Sequence, residues 1–249
     1  MSKFIAMKSL FFITLFVCLC QYSWSQAKYE SDVFKTSSGD LKITFIGHGT
    51  LMFEFKKLVI HVDPWSSMAD YSKLPKADII LVTHHHIDHL DKKAIDLISK
   101  DGTELLLTDT CKSMIGKGTV ISNGEIKKVK GITVKAVPAY NLVHMTEAGK
   151  PYHQKGVCNG YVITFGNKNV YVAGDTENIP EMKALKNIDI TFLPMNLPYT
   201  MTPEMVADAV KMFNPKIVYP YHYGSAEYCE KLVDLLKDKK NTEVRIRKF

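Results

Sequence analysis

Three short apolar runs follow one another early in the chain, Leu41 to Ile46, Thr50 to Phe55 and Leu58 to Val62, with tight turns at Gly47–Gly49 and Lys56–Lys57 between them. This pattern predicts a strand meander. Ile79 to Thr83 is apolar without alternation, the mark of a strand covered on both faces, and it runs straight into a polar cluster. Beyond the cluster, Ala94, Ile95, Leu97 and Ile98 recur at helical spacing within Asp91 to Lys100, with Asp91 placed to cap the helix. Further strands are predicted at Ile132–Ala136, Gly160–Phe165, Asn169–Ala173, Ile188–Leu193 and Ile217–Tyr219. Helices alternate with the later ones: Thr202-Pro203-Glu204 starts a helix whose apolar stripe runs from Met205 to Phe213, and Ser225 to Lys237 forms another. With no repeat of fixed period and no Pro/Gly-rich linker, the pattern predicts a single α/β domain over residues 41–249.

Residues 1–27 read as a cleavable secretory signal peptide. Lys3 and Lys8 supply positive charge, Leu10 to Cys20 is an almost unbroken apolar run, and Ser25-Gln26-Ala27 offers a small-residue cleavage site. Cleavage after Ser25 and after Ala27 both fit. The apolar run is short for a bilayer span, which weighs against an uncleaved anchor, and no stable membrane anchor is expected after cleavage. Leu19 before Cys20 and Val17 before Cys18 disfavour lipidation. Residues 28–40 are polar and predicted to be an N-terminal tether. The mature protein is therefore expected in the periplasm or outside the cell.

Export changes how charge and cysteine are read. The formal net charge of +6 falls by two when the leader leaves, and the remaining excess is spread over short clusters. The densest, Lys127, Lys128 and Lys130, and Lys237, Lys239 and Lys240, lack the interleaved aromatics that stack on bases, so no nucleic-acid partner is expected. Cys111, Cys158 and Cys229 remain at scattered spacings that make no disulfide framework.

The chemistry concentrates in Thr83-His84-His85-His86-Ile87-Asp88-His89. In an extended segment His84 and His86 point to one side and His85 to the other, and Asp88 and His89 fall on the following turn. That spacing offers two imidazoles to one metal ion and a carboxylate plus an imidazole to a neighbour. The donor set suits zinc, iron or manganese. A surface histidine tract is the alternative, disfavoured by the covered strand that leads into the cluster. Asp175 in Ala173-Gly174-Asp175-Thr176 and His222 in Tyr219-Pro220-Tyr221-His222 also follow predicted strands, so separated segments can converge on one edge of two facing sheets. His61 shares a strand face with Val59 and is expected to be structural, like His85.

His84, His86, Asp88 and His89 match the HxHxDH signature of the metallo-β-lactamase superfamily, and the later motifs follow in that family's order, so the chain resembles this superfamily over nearly all of residues 41–249. The resemblance implies a four-layer αββα sandwich. It further implies two divalent metal ions, with zinc expected ahead of manganese or iron. His84, His86 and His153 would hold the first ion, and Asp88, His89 and His222 the second. Asp175 would bridge them. His144, nine residues before His153 in a similar polar loop, competes for the third histidine position. A hydroxide shared by two ions would attack a small-molecule substrate without a protein nucleophile, with Asp88 and Asp175 as catalytic residues. Asp63, in His61-Val62-Asp63-Pro64, is a candidate partner for a ligand imidazole, although an Asp before Pro is also a turn former. His48, in Gly47-His48-Gly49-Thr50, is a candidate substrate contact at the rim, weighed against a plain loop role.

The stretches Val137-Pro138-Ala139-Tyr140-Asn141 and Tyr199-Thr200-Met201-Thr202-Pro203 resemble the branch of L-ascorbate 6-phosphate lactonase. This implies cleavage of an ester, lactone or phosphodiester. Cys158, where that branch has glycine, is expected to be a buried thiol rather than a ligand, and Met195-Asn196-Leu197-Pro198 departs from the branch and puts its substrate in doubt here. Common zinc β-lactamases carry cysteine where Asp175 stands. An iron-dependent, sulfur dioxygenase-like oxidoreductase, a β-lactamase and a noncatalytic metal-binding module remain as rivals, and oligomeric state is left open.

Overall fold

The computed structural model describes residues 29–248, so the expected leader lies outside the described residues. The expectation for residues 28–40 needs correction. Ser31–Thr36 is strand β1, paired antiparallel with β2 (Gly39–Gly47), rather than a tether. Its polar composition misleads because it is an edge strand that covers only part of one face. Phe34 packs against the core, and Asp32 accepts two hydrogen bonds from the Arg247 guanidinium at 2.7 and 2.8 Å and one from the Tyr219 hydroxyl.

The meander continues through β3 (Thr50–Phe55) and β4 (Leu58–Val62), both antiparallel. Then the chain changes to parallel pairing, with β5 (Ile79–Leu81), β6 (Glu104–Leu107) and β7 (Thr119–Val120) joined by α1 (Lys92–Ile98) and α2 (Asp109–Ile115). The second half repeats this plan without a sequence repeat to announce it. Strands β8 (Ile126–Val129), β9 (Ile132–Ala139), β10 (Cys158–Phe165) and β11 (Lys168–Val172) are antiparallel. Strands β12 (Ile190–Met195), β13 (Ile217–Tyr223) and β14 (Glu243–Val244) then run parallel to β11 and to each other, with α3 (Pro203–Phe213) and α4 (Ala226–Leu236) as crossovers.

Among the described residues this makes two seven-stranded sheets, and three apolar clusters glue four layers together. The central cluster lies between the sheets and is rich in aromatic rings. Phe45 of β2 packs 5.1 Å from Tyr219 of β13, and Phe53 of β3 stacks on Phe165 of β10 at 5.6 Å. The outer clusters bury α1 and α2 on the first sheet and α3 and α4 on the second. The result is the expected αββα sandwich, held mainly by apolar burial. Asp91 caps α1 by accepting from the Ala94 amide at 3.1 Å, and Thr202 caps α3 through Met205; such caps contribute about 1 kcal/mol each. Among the described residues no helix is long and apolar enough to cross a membrane.

In each half the parallel strands end on the same edge, which is where open α/β sheets place their ligands. The halves are stitched there: the Asn159 amide donates to the Thr83 carbonyl at 2.9 Å and the Tyr161 hydroxyl donates to the Val82 carbonyl at 2.7 Å.

His61 lies inside this frame and is structural, as expected. It is buried and donates from Nε2 to the Pro75 carbonyl at 3.1 Å. Burial pushes its imidazole down to about 4. The unfolded chain protonates His61 near its ordinary value while the native state does not, so stability falls as pH drops from about 6.5 towards 4. Chemical denaturation of the wild type and His61→Leu at about pH 7.5 and 5 should show the wild type losing about 2 kcal/mol more than the variant over that interval. Parallel losses would contradict this.

Candidate metal centre

The histidine cluster occupies the loop between β5 and α1; His48, Asp63, Asp175 and His222 arrive from the ends of β2, β4, β11 and β13, and His144 and His153 from the loop between β9 and β10. His84 is fully buried, His86 half-buried, and the His84 Nε2 and His86 Nδ1 atoms are 3.1 Å apart. His153 Nε2 lies 3.2 Å from the same His86 nitrogen. His144 is outside this group; its ring faces the Glu177 carboxylate at 2.9 Å. His85 joins no ligand group among the described residues, and Cys158 is a buried free thiol.

A second group forms beside the first. Asp88 Oδ2 lies 3.5 Å from His89 Nε2 and 3.4 Å from His222 Nε2. Asp175 stands between the groups: its Oδ2 is 3.4 Å from His153 Nε2 and 3.6 Å from His222 Nε2, and its Oδ1 is 3.6 Å from His89 Nε2. Donors about 2.0–2.1 Å from a tetrahedral cation lie about 3.3–3.4 Å from one another, close to these separations. Moreover, His89 Nε2, His222 Nε2 and Asp175 Oδ1 are buried with no hydrogen-bond partner. Buried polar atoms are costly when unsatisfied, so the donor set fits cations in its centre.

Local backbone explains the aim of each side chain. His222 falls at an irregularity in the β12–β13 ladder, with φ +47°, and its amide donates to the His48 carbonyl at 3.0 Å. This bulge turns the imidazole into the site. Gly174, at φ +64°, must be glycine, because a Cβ would meet the Asn159 carbonyl oxygen at 2.7 Å. Asp63, at φ +46°, is fully buried and touches both groups. Its Oδ2 accepts from His89 Nδ1 at 2.8 Å and from the Thr83 hydroxyl at 2.7 Å, and that hydroxyl lies 3.0 Å from His84 Nδ1. One carboxylate thereby sets the tautomer of an imidazole in each group, leaving Nε2 free to face a cation.

Sequence reasoning missed two residues that do the same for His153. Asn141 Oδ1 accepts from its Nδ1 at 2.7 Å and from its backbone amide at 2.8 Å. Glu177, buried behind, accepts from Asn141 Nδ2 and from the Leu142, Val143 and His144 amides at 2.7–3.0 Å. Burial alone would raise the Glu177 carboxyl, but these donors overcome it and lower it. The only sequence signal was polar residues in a loop next to predicted strands.

His48, expected at the rim, turns towards the second ligand group and is not among the residues that line the cavity. Its Nε2 is 2.9 Å from Asp88 Oδ2 and its ring centroid lies 3.6 Å from that of His222, with the rings tilted by 43°. With Asp88, His89 and His222 it forms a group compact enough for one ion. Burial and neighbouring imidazoles hold His84 and His86 below their ordinary value, and burial pushes His153 down to about 4. These rings are therefore neutral near pH 7, the form that binds metal. Burial would raise Asp88, yet the imidazoles of His222, His48 and His89 around it hold it well below the usual carboxylate range, so it stays ionised. Burial would also raise Asp175, but the neighbouring imidazoles of His222 and His89 lower it.

Residues 42–222 match the model of the β-lactamase superfamily domain. The chain belongs to the metallo-β-lactamase superfamily. Within that superfamily it is similar to the UPF0173 metal-dependent hydrolases: the protein of Pyrobaculum islandicum is 33% identical over 203 residues, covering 74% of this chain and 85% of the relative. A provisionally named metal-dependent hydrolase from Parabacteroides distasonis superposes with a TM-score of 0.84 at 50% identity, covering 89% of this chain and 99% of its own. A metallo hydrolase from the archaeon Ignicoccus hospitalis does so with a TM-score of 0.69 at 25% identity, covering 84% and 95%.

Asp63→Asn places an amide donor against the Thr83 and His89 donors. Its affinity for zinc, measured by competition with a chromophoric chelator, should fall about tenfold to a hundredfold. Unchanged affinity would reduce Asp63 to a turn residue.

Proposed function

We propose that this metal-dependent hydrolase uses two divalent cations, zinc first among them, to cleave an ester, lactone or phosphodiester bond of a small molecule outside the cytoplasm. The observation that carries the reading is Asp175, whose two oxygens face the two ligand groups from between them. In this assignment His84, His86 and His153 hold one cation, Asp88, His89 and His222 the other, and Asp175 both. When bound, such cations would supply an acidified water and polarise the scissile group.

The chain's own part is positional. Asp63, Thr83 and Asn141 fix the imidazoles, so little reorganisation is needed when substrate arrives. Asp88 lies open to the cavity, with its Oδ2 2.9 Å from His48, and can take a proton from the attacking water or pass one to the leaving group. His48 orients Asp88 from behind the cavity lining. Asp175, deeply buried, stays ionised and holds its place. A cavity of about 400 Å³ lined by His86, Asp88, Tyr152, His153, Asp175, Asn196, Tyr199 and His222 receives the substrate. Asn196 belongs to the segment that departs from the lactonase-like branch, so only the class of bond is carried over from that branch, not its pocket or its substrate. The leader carries export with it, and mature protein recovered from outside the cytoplasm would begin at Gln26 or Lys28.

The test is to strip the protein with a chelator, reload it with zinc, manganese or iron, and assay lactones, esters, phosphodiesters and a β-lactam. Hydrolysis should vanish on stripping and return with metal, and Asp175→Ala should lose about two orders of magnitude or more. A protein that instead holds one iron, consumes oxygen with a thiol adduct and hydrolyses nothing would be an oxidoreductase.

A further inference from the structure

Eleven large apolar side chains are exposed among the described residues, and five of them, Ile87, Leu142, Val143, Met145 and Tyr199, sit on the three segments that frame the metal cavity. Scattered exposed apolar residues are ordinary, whereas five of them on the segments that supply the lining of one cavity point to a binding surface. Ile87, 80% exposed, lies between the cavity residues His86 and Asp88. Tyr199 lines the cavity and meets Tyr152 edge to face at 4.9 Å.

The other three belong to a hairpin arm that leaves the site at Asn141 and returns to it at Tyr152 and His153. Met145 bridges Pro151, and the Thr146 amide donates to the Lys150 carbonyl at 2.7 Å. Its base is fixed, because the Asn141 amide donates to the His153 carbonyl at 2.9 Å and its side chain donates to the Tyr199 carbonyl at 2.9 Å. The Leu142 and Val143 amides are spent on Glu177, so this part of the arm is held while its side chains face out, Val143 at 69% exposure. Rigid backbone carrying exposed apolar side chains is a preorganised surface. The cavity lining adds no lysine or arginine, only the neutral hydrogen-bonding groups of Tyr152, Asn196 and Tyr199 beside the ligand set.

We propose that Ile87, Leu142, Val143, Met145 and Tyr199 form a collar for an apolar arm of the substrate, and that the substrate is a carboxylic ester or lactone bearing an aliphatic or aromatic acyl group. This rests on the hydrolase reading and narrows it. The cations of that reading would face a phosphate charge and a carbonyl oxygen alike, so the choice of a carboxylic ester or lactone rests on the collar, which takes an uncharged acyl arm and has no lysine or arginine beside it in the lining for a charged one. In the reaction the water oxygen bonds to the acyl carbon and the acyl carbon–oxygen bond breaks. One water proton leaves with the alcohol, the other passes to solvent, and a carboxylate remains.

The experiment uses zinc-loaded full-length mature protein and the double variant Val143→Ser/Met145→Ser, whose exposed side chains make no hydrogen bonds. Metal content and circular dichroism verify that the variant is folded. Hydrolysis of p-nitrophenyl acetate, butyrate and hexanoate is measured, and the binding of acetate and hexanoate is measured by calorimetry. In the wild type kcat/KM should rise about two- to fourfold per added methylene, and hexanoate should bind more tightly than acetate by a similar factor per methylene. Both trends should flatten in the variant. A flat wild-type series, or a slope that survives the substitutions, would overturn the collar. So would a dimer that the substitutions dissociate with no change of slope, since the patch would then face a second copy. If no ester of any length is cleaved the hydrolase reading fails, and the calorimetric comparison still decides the collar.

Discussion

The hydrogen-bond chain from His84 through the Thr83 hydroxyl to Asp63, and from Asp63 to His89, is the constraint on which the site depends. An imidazole can present a lone pair to a cation only if its other nitrogen carries the proton and is held. Asp63 does this for one ring in each ligand group, and Asn141 does it for His153. The arrangement is paid for in backbone strain, since His48, Asp63 and His222 all take left-handed φ values, each costing about 1–3 kcal/mol. Surrounding hydrogen bonds offset that strain: the Asp63 carbonyl accepts from the Thr50 hydroxyl at 2.6 Å, and the His48 carbonyl accepts from the His222 amide.

The fold makes such a hub possible because it brings the carboxyl ends of two similar half-sheets to one edge. Asp63 follows the last antiparallel strand of the first half, and Asp175 follows the last antiparallel strand of the second. One carboxylate ends up behind the imidazoles and the other in front of them. Their different burial partners give them different work: Asp63 is saturated with donors, while Asp175 keeps an oxygen without one, facing His89. A site with aligned donors, ionised front carboxylates and neutral imidazoles at His84, His86 and His153 is prepared for cations, and the proposed apolar collar outside it leaves the charge at the centre of the cavity.

Much of this was legible in the sequence because the cluster motif is local. Two-residue spacing at a strand end sets His84 and His86 on one side whatever the rest of the chain does, and His85 falls on the other. The caps at Asp91 and Thr202 were legible for the same reason. What escaped depends on distance. Asn141 and Glu177 are 36 residues apart and meet only where β9, β10 and β11 lie side by side, so neither advertises its role. The inward turn of His48 follows from a left-handed backbone that the spacing does not encode. Strand β1 looked like a tether because its partner for Asp32 is Arg247, at the far end of the chain. The two-fold plan of the sheets has no counterpart in a sequence period, because pairing direction and crossover repeat while residue identities do not.

The most direct test is anomalous diffraction at the zinc absorption edge from crystals of metal-loaded protein. The account predicts two peaks about 3.5–4 Å apart, one enclosed by His84, His86 and His153, the other by Asp88, His89 and His222, with Asp175 reaching both. A single peak, or peaks outside these side chains, would contradict it.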